Sequence, residues 1–302
     1  MMDLAELQER FAIPGVLGFE QAAAGLVVAQ VTAPAAQATV YLQGAHLTHW
    51  KPEGLAPVLF LSARSELAPG KAIRGGVPVI FPWFGPRHDG KAGPQHGFAR
   101  TAVWDLAFAA VAGDDVHLTF TLAPTQVSRE LGFGDLRLAY RMAIGRRLTL
   151  ELTVANDSAA AVQIEEALHT YFAVGDVRSA TVEGLGGTEY IDKRDEMRRK
   201  PEPAGAMTLT GTTDRVYLNT TATCTIGDGA GGRKIVVEKS GSRSTVVWNP
   251  WAELAATMAD MEPDGWRTML CVETANVGED AVTLEPGKAH TMRVEISTEA
   301  LN

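Results

Sequence analysis

The 302-residue chain has few cysteines and no long apolar run. Its two cysteines, Cys224 and Cys271, are too few for a disulfide framework, which excludes a small disulfide-stapled scaffold. We interpret Cys271, which sits in an apolar run, as a buried free thiol, and we expect a cytoplasmic protein. No segment is apolar over the length of a membrane helix. The N-terminus lacks the basic region and the apolar stretch of a secretory signal.

The chain also lacks a surplus of positive charge. Lysine and arginine number 27 against 36 aspartates and glutamates, so the formal net charge is −9. A nucleic-acid partner is not expected, because binding to the phosphate backbone needs a basic patch. An anionic ligand would need a local cluster of arginines to offset the repulsion of the whole molecule. Hydrophobic residues make up 46% of the chain, which is enough for a substantial core and argues against disorder.

What the sequence contains in quantity is period-two alternation of apolar and polar residues. The clearest runs lie at 116–122, 136–144, 148–154 and 292–296. Each run predicts a half-buried β-strand, because successive side chains of a strand point to opposite faces of the sheet. Sequence patterns of this kind are typical of antiparallel sheets with one face on the core.

Helical patterns are short and few. One lies at residues 4–11 and a second at 254–261, and we interpret the glycine-rich stretch 227–232 as a hairpin loop. Many closely spaced strands with few helices predict an all-β fold, namely a large antiparallel β-sandwich. We expect residues 1–302 to form a single domain, since sandwiches of this size often do.

Two segments interrupt the strand pattern. Residues 73–85 contain two prolines that cannot donate to a sheet ladder, so we predict an apolar loop there instead of a central strand. Residues 93–100 form a second predicted loop, which concentrates Gln95, His96 and Arg100 beside glycines that allow close backbone approach.

Each loop carries an arginine that suits a phosphate group. Arg74 is followed by two glycines, and Arg100 closes the second loop. The guanidinium fork matches phosphate oxygens, and backbone N–H groups of glycine-bearing loops can add to the binding. The alternative is a pair of surface arginines in salt bridges, and either arginine taken separately fits that alternative as well.

Two residues on predicted strands are candidates for acid–base chemistry. His169 lies on the polar face of a strand predicted at 162–172, and Glu273 interrupts an apolar strand at 269–276. A buried carboxylate must be paired, hydrogen-bonded or functional, because burying it alone is costly, and burial raises its pKa. The alternatives are a structural histidine, which we favour for a histidine considered alone, and a carboxylate that pairs with an arginine. Neither residue alone identifies a reaction.

The remaining candidates do not indicate a metal or a nucleotide. His46 and His49 lie three residues apart, on opposite faces of a predicted strand, and no third ligand lies nearby, whereas metal sites usually need three or four. We therefore interpret both as structural. The chain has no Rossmann or P-loop fingerprint, and we expect no cofactor. Trp248 is interpreted as a packing residue that is also able to stack on a sugar.

Six motifs, in this order along the chain, resemble the aldose 1-epimerase superfamily and in particular its hexose-6-phosphate mutarotase branch. They read IRGGVPVIFP at 73–82, QHGFAR at 95–100, LHTYF at 168–172, YIDK at 190–193, VWNPW at 247–251 and VETAN at 272–276. The first two together are specific, whereas the histidine and glutamate motifs alone would be weak. Trp83 departs from the family pattern, in which a smaller or polar residue is expected.

The resemblance implies a galactose mutarotase-like β-supersandwich whose concave face binds the sugar. It also implies an isomerase that interconverts the α and β anomers of glucose 6-phosphate or a related hexose 6-phosphate. The substrate would be a small-molecule phosphosugar, no cofactor or metal would be needed, and we expect a monomer. The site residues that the resemblance implies are His169 as general acid, Glu273 as general base, Arg74 and Arg100 at the phosphate, Gln95 and Asp192 at the sugar hydroxyls, and His96 in the pocket wall.

The reaction implied is ring opening and closure. Glu273 would take the proton of the C1 hydroxyl and His169 would give one to the ring oxygen, each group contributing about 10²–10⁴-fold. We expect a bell-shaped pH profile with an acid limb from the carboxylate and an alkaline limb from the imidazolium. Two alternatives stay open: a mutarotase for unphosphorylated aldoses such as galactose, which would not need the arginine pair, and a non-catalytic carbohydrate-binding protein.

Overall fold

Short antiparallel strands are the main regular structure of residues 2–301, the part of the chain that the computed structural model describes. The helices are α1 Leu4–Phe11, α2 Gln126–Glu130 and α3 Trp251–Ala255. The strands of the first half are β1 Leu17–Gln21, β2 Val27–Ala33, β3 Ala36–Tyr41, β4 His46–Pro52, β5 Val79–Ile80, β6 Asp105–Ala112, β7 Asp115–Leu122, β8 Leu136–Ile144 and β9 Leu148–Asn156. Those of the second half are β10 Val162–Ile164, β11 Glu166–Leu168, β12 Tyr171–Ala173, β13 Thr181–Glu183, β14 Glu189–Asp192, β15 Arg198–Pro201, β16 Met207–Thr208, β17 Thr213–Tyr217, β18 Cys224–Asp228, β19 Arg233–Ser240, β20 Ser244–Asn249, β21 Met269–Asn276, β22 Val282–Leu284 and β23 Ala289–Ala300.

The strands pair into two large and two small sheets. The largest has the order β16-β13-β18-β19-β23-β9-β8-β7-β6, and the second has the order β15-β14-β17-β20-β21-β11-β5, with β12 also paired to β21. Strands β1 to β4 form a meander, and β10 pairs with β22. The pairings within these sheets are antiparallel, so the prediction of an all-β antiparallel fold is confirmed. None of the described helices combines the length and the apolar content that a membrane span needs.

The four alternating runs lie in β7, β8, β9 and β23, which are neighbours in the nine-stranded sheet. Along β8, buried residues such as Leu138 and Tyr140 alternate with more exposed ones, so one face of the sheet covers the core. The hairpin predicted at 227–232 joins β18 to β19, and the predicted first helix is α1. The second helical pattern is only partly correct: α3 ends at Ala255, and backbone bonds between residues three apart continue as tight turns to Met261.

The segment around His169 is not the single strand that the sequence predicts. It is three short strands, β10, β11 and β12, with breaks where the chain crosses the first loop. The backbone N–H of Glu165 donates to the carbonyl of Pro82, and that of His169 donates to the carbonyl of Pro78. Both bonds are in register with the pairing of β11 and β5, but Pro78 and Pro82 have no N–H to return the second bond of the ladder. The strand is therefore interrupted at these points, and His169 lies at the break between β11 and β12.

The two predicted loops pack against each other. Loop 73–85 is irregular except for β5, an edge strand of the eight-stranded sheet, in agreement with the prediction. The N–H of Phe98 donates to the carbonyl of Phe81 over 3.0 Å. Gly97 has a φ of 70°, and a Cβ there would overlap the backbone of Phe81, so only glycine allows this approach. The contact fixes loop 93–100 beside the strands that carry the site.

Candidate active site

A cavity of about 240 Å³ lies where the two loops meet the eight-stranded sheet. It brings together all of the predicted site residues except Asp192. The lining side chains are Arg74, Phe84, Gln95, His96, Arg100, His169, Lys193, Asp214, Trp248 and Glu273. The cavity is somewhat smaller than the clefts of about 300–1,000 Å³ that hold drug-sized ligands, and its mainly polar and charged lining suits a small polar ligand.

His169 and Glu273 face each other in this cavity. Glu273 projects from β21, which pairs with both β11 and β12 on either side of His169. Nδ1 of His169 lies 3.4 Å from Oε1 of Glu273. Within the described residues, that nitrogen and both carboxylate oxygens are buried and have no hydrogen-bond partner. Buried polar atoms normally have partners, so these atoms are placed for a ligand to complete them.

Burial changes the proton affinity of both groups. It lowers the pKa of His169 well below 6.5, and the positive Arg100 and Arg74 lower it further. Burial raises the pKa of Glu273 well above 4.5 and Asp214 adds to this rise, whereas Lys193 opposes it. The free pair therefore favours a neutral imidazole beside a protonated carboxyl. This is one proton in total, the same count as in an imidazolium–carboxylate pair.

Aromatic contacts hold the His169 ring in place. The ring stacks on Tyr171, with centroids 4.8 Å apart and planes inclined by 8°. Its edges face His96 at 5.7 Å and Trp248 at 6.1 Å. These three rings limit rotation of the imidazole. A proton donor must be held in a fixed orientation in this way.

His96 is a neutral hydrogen-bond donor in the cavity wall. The backbone N–H of Gly85 donates to its Nδ1 over 3.1 Å, so the proton of the neutral ring is on Nε2. Burial lowers the pKa of His96 to about 3, and the positive Arg100, Lys193 and Arg74 contribute to that shift. The ring is therefore uncharged at neutral pH.

The two arginines have different environments. Arg74 donates from Nε to Oδ2 of Asp260 over 3.0 Å, and its Nη2 lies 2.9 Å from the same oxygen in an ion pair. Its Nη1 donates to the hydroxyl of Tyr171 over 3.1 Å. The salt-bridge alternative thus holds for Arg74. Arg100 instead donates from Nη2 to the carbonyl of Gln95 over 2.7 Å. Its Nε is buried without a partner, and no ion pair joins it to a carboxylate of the described residues.

Asp192 lies outside the cavity. Its carboxylate accepts from Lys200 over 2.8 Å and from the N–H of Arg194 over 3.0 Å. The next residue along the chain, Lys193, lines the cavity instead, with its Nζ 3.6 Å from Oδ2 of Asp214. Adjacent residues of an extended chain point to opposite sides, so the YIDK motif marks the right segment, but the aspartate is on its other side.

Three lining residues were missed from the sequence: Phe84, Lys193 and Asp214. The ammonium group of Lys193 lies 5.0 Å from the centroid of the Phe84 ring. The sequence did indicate Asp214, because it is an acidic residue in the same short strand, β17, as the buried Val216 and Tyr217. Burial raises the pKa of Asp214, and the nearby Lys193 opposes that rise.

Residues singled out elsewhere lie outside this cavity. Trp83 donates from its indole N–H to the carbonyl of Pro94 over 2.9 Å, and the guanidinium of Arg87 covers its ring at 5.0 Å. Its departure from the family pattern therefore does not alter the cavity wall. His46 is fully buried, and its Nε2 lies 2.7 Å from the carbonyl of Gly75, which anchors the loop that carries Arg74.

Known proteins resemble this chain over most of its length. The sequence pattern of the aldose 1-epimerase family matches residues 28–297. A candidate glucose-6-phosphate 1-epimerase of Escherichia coli strain K12 is 38% identical over 257 residues, which cover 85% of each chain. One from Cenchrus ciliaris is 32% identical over 269 residues, 86% of this chain and 80% of that one.

The fold comparison gives the same family. The crystal structure of a candidate mutarotase from Salmonella typhimurium superposes with a TM-score of 0.89 at 35% identity and covers 96% of both chains. The predicted mutarotase-like β-supersandwich is thus confirmed. The match over nearly the whole sequence and the identity to these relatives are sufficient to assign the family. This chain belongs to the aldose 1-epimerase family.

Proposed function

We propose that the protein is a hexose-6-phosphate mutarotase, which interconverts the α and β anomers of glucose 6-phosphate or a related hexose 6-phosphate. The observation that carries this proposal is Arg100, a cation without a carboxylate partner in the cavity that holds His169 and Glu273. A partly buried guanidinium with an unpartnered N–H is costly, and a phosphate dianion supplies both the charge and the acceptors that it lacks.

The order of charges along the cavity matches the order of groups along the substrate. Arg74 and Arg100 lower the pKa of His169, whereas Asp214 raises the pKa of Glu273 and Lys193 lowers it. We therefore place the two arginines at the His169 end of the cavity. In a hexose 6-phosphate, C6 is bonded to C5, which carries the ring oxygen, and the C1 hydroxyl lies beyond that oxygen. A phosphate at the arginines therefore brings the ring oxygen to His169 and the C1 hydroxyl to Glu273.

The chemistry then needs only proton transfer. Glu273 accepts the proton of the C1 hydroxyl while His169 gives a proton to the ring oxygen, and the C1–ring oxygen bond breaks to give the open-chain aldehyde. Rotation about C1–C2 presents the other face of the carbonyl, and reversal of both transfers closes the ring. His96 offers a neutral donor through its Nε2, and Gln95 and Asp214 line the cavity as partners for the sugar hydroxyls.

The names of the relatives support the phosphorylated substrate, because those from Escherichia coli and Cenchrus ciliaris are both given as candidate glucose-6-phosphate 1-epimerases. A mutarotase for neutral aldoses would have no use for the unpaired Arg100. We also propose that residues 1–302 form one domain, in view of a buried core that extends from Leu7 to Ile296. The monomeric state and the cytoplasmic location expected from the sequence are part of this proposal.

The test is anomer exchange measured by NMR with glucose 6-phosphate and with glucose at equal concentration. Rates are corrected for spontaneous and buffer-catalysed exchange. We expect strong acceleration for the phosphosugar and little for glucose. Equal acceleration of both sugars would remove the phosphate assignment, and no acceleration of either by folded protein would favour the carbohydrate-binding alternative.

A further inference from the structure

Tyr171 lies between the proposed anion-binding arginine Arg74 and the proposed acid His169. Its hydroxyl accepts a hydrogen bond from Nη1 of Arg74 over 3.1 Å. Its ring stacks on the imidazole of His169 at 4.8 Å, with the planes inclined by only 8°. The side chain is buried, and the scheme given above assigns it no task. One aromatic residue therefore touches both an arginine of the anion site and the proposed acid.

The remaining contacts of Arg74 make this link specific. Nε donates to Asp260 and Nη2 forms an ion pair with the same carboxylate oxygen, so the far edge of the guanidinium is fixed. The hydroxyl of Tyr171 accepts at Nη1. A change in the position or effective charge of Arg74 therefore acts directly on the phenol.

We propose that Tyr171 is a positioning residue that couples occupancy of the phosphate site at Arg74 and Arg100 to the proton-donating function of His169, so that the 6-phosphate raises kcat as well as affinity. This inference rests on the proposed mutarotase activity and adds a second role for the phosphate. The phosphate is then an activator of the acid as well as a handle for binding.

The physical basis is the face of an aromatic ring. A parallel ring stabilises an imidazolium above it through the negative charge density of its π system. A guanidinium that donates to the phenol oxygen draws charge from that ring and weakens this effect. A phosphate dianion beside Arg74 offsets the guanidinium charge, so the ring again favours the protonated imidazole. The effect of Arg74 on the two groups agrees, because it lowers the pKa of His169 and opposes the burial that raises the pKa of Tyr171.

The matched variants are Tyr171→Phe and Tyr140→Phe. The first removes the hydroxyl that Arg74 contacts and keeps the stacked ring. The second removes a buried hydroxyl that has no hydrogen-bond partner in the described structure and lies in β8 of the other large sheet. Both lose one oxygen atom from a buried tyrosine, and only Tyr171 lies between the anion site and His169.

The experiment separates the sugar from its anion. D-xylose lacks C6 and its phosphate, and inorganic phosphite is added as a separate probe for the arginines. We expect phosphite to increase enzymatic anomer exchange of xylose with saturation in the wild type and in Tyr140→Phe. In Tyr171→Phe the maximal activation should fall about 5- to 20-fold, within the range usual for coupling between two sites, while half-saturation by phosphite changes little.

Three outcomes would contradict the proposed function or the proposed coupling. If the wild type does not accelerate exchange of glucose 6-phosphate, the proposed function fails and the coupling fails with it. If glucose 6-phosphate is accelerated but Tyr171→Phe retains the full activation by phosphite, only the coupling is overturned. The coupling is also overturned if phosphite binds the wild type without activating xylose.

A spectroscopic measurement is independent of turnover. The His169 imidazole is titrated by ¹⁵N NMR with and without 1,5-anhydroglucitol 6-phosphate, which has no C1 hydroxyl and cannot react, and the resonance is assigned by its loss in His169→Asn. We expect this ligand to raise the pKa of His169 in the wild type and to raise it less in Tyr171→Phe. Equal rises in both proteins contradict the coupling.

Discussion

The carboxylate of Glu273 lies 3.4 Å from the imidazole of His169 because of the register between their strands. Leu168 pairs with Thr274, and Tyr171 pairs with Cys271, so the break at His169 lies opposite Glu273. Since side chains alternate along a strand, a shift of one residue would turn Glu273 to the opposite face of the sheet. The geometry of the pair is therefore a property of sheet pairing.

The first prediction concerns the two proposed proton-transfer groups. Glu273→Gln and His169→Asn should each reduce exchange of glucose 6-phosphate by about 10²–10⁴-fold, since each removes one acid–base group. The carboxylate oxygens of Glu273 have no hydrogen-bond partner in the described structure, so the neutral amide should unfold at the same or a higher temperature. Both are checked by NMR exchange and thermal unfolding. A folded Glu273→Gln protein with full activity would remove the proposed base.

The second prediction is the pH dependence of kcat/KM, and it reverses the assignment expected from the sequence. Because the pKa of His169 is lowered from 6.5, the pair takes up its second proton only in more acidic solution. Because the pKa of Glu273 is raised from 4.5, the pair keeps its last proton above that value. The active pair holds one proton, so the acid limb follows protonation of the imidazole and the alkaline limb follows loss of the last proton.

The variant His169→Asn tests this reversed assignment. In this variant Glu273 must itself lose its proton before it can act as the base, and its pKa is raised, so the acid limb should move to higher pH and a residual rate should remain. An acid limb that persists unchanged in the variant would assign that limb to another group, and the reversal would be wrong.

The third prediction concerns the anion site. Arg100→Ala should raise KM for glucose 6-phosphate by about 10- to 100-fold, because hydrogen bonds to charged groups contribute about 1.5–3 kcal/mol. The effect on glucose should be small. The control is Arg137→Ala, which removes an exposed arginine that pairs with Asp157 on the other large sheet. The same loss for both sugars, measured by steady-state kinetics, would place the role of Arg100 in the structure of the loop.

The fourth prediction is a pH-dependent contribution to stability from His290. Its Nε2 lies 3.1 Å from Oε1 of the fully buried Glu166, and this contact raises the pKa of His290 above 6.5. A group whose pKa is raised on folding stabilises the protein fully below its unfolded pKa, and the contribution is lost as pH rises through the folded value. His290→Gln should therefore destabilise the protein more at pH 6 than at pH 9.

Denaturant unfolding at the two pH values measures this difference, with His117→Gln on β7 as the control. An equal loss at both values would show that the His290–Glu166 contact carries no proton linkage.

The sequence predicted those features that are encoded locally. Alternation alone was enough for β8 and β9, because each buries one face over nine residues. The break at His169 was not predictable in this way, since it arises opposite Pro78 and Pro82, which lie in a distant segment and have no N–H for the ladder. Asp214 was visible locally as an acidic residue in a strand, but its position in the cavity depends on the pairing of β17 with β14 and β20. Pairing between strands that are far apart in the sequence cannot be predicted from any one segment.

The resemblance to a known family supplied what alternation could not. It brought His169, Glu273 and both loop arginines to one site, and the structure places these residues around one cavity. It named Asp192, whose neighbour Lys193 occupies the cavity instead. The roles of these residues in the reaction stay predictions until the variants are measured.

Loop 93–100, which packs on loop 73–85, carries proposed substrate-binding residues but neither of the two proposed proton-transfer groups. Gln95, His96 and Arg100 are carried by a loop that is fixed to its neighbour through Gly97, whereas Glu273 is carried by a paired strand. Loops accept changes of sequence and length more readily than paired strands do. The loop is therefore the segment to vary in protein engineering: variants that keep Gly97 can change the groups at Gln95, His96 and Arg100 while the strand that carries Glu273 stays the same.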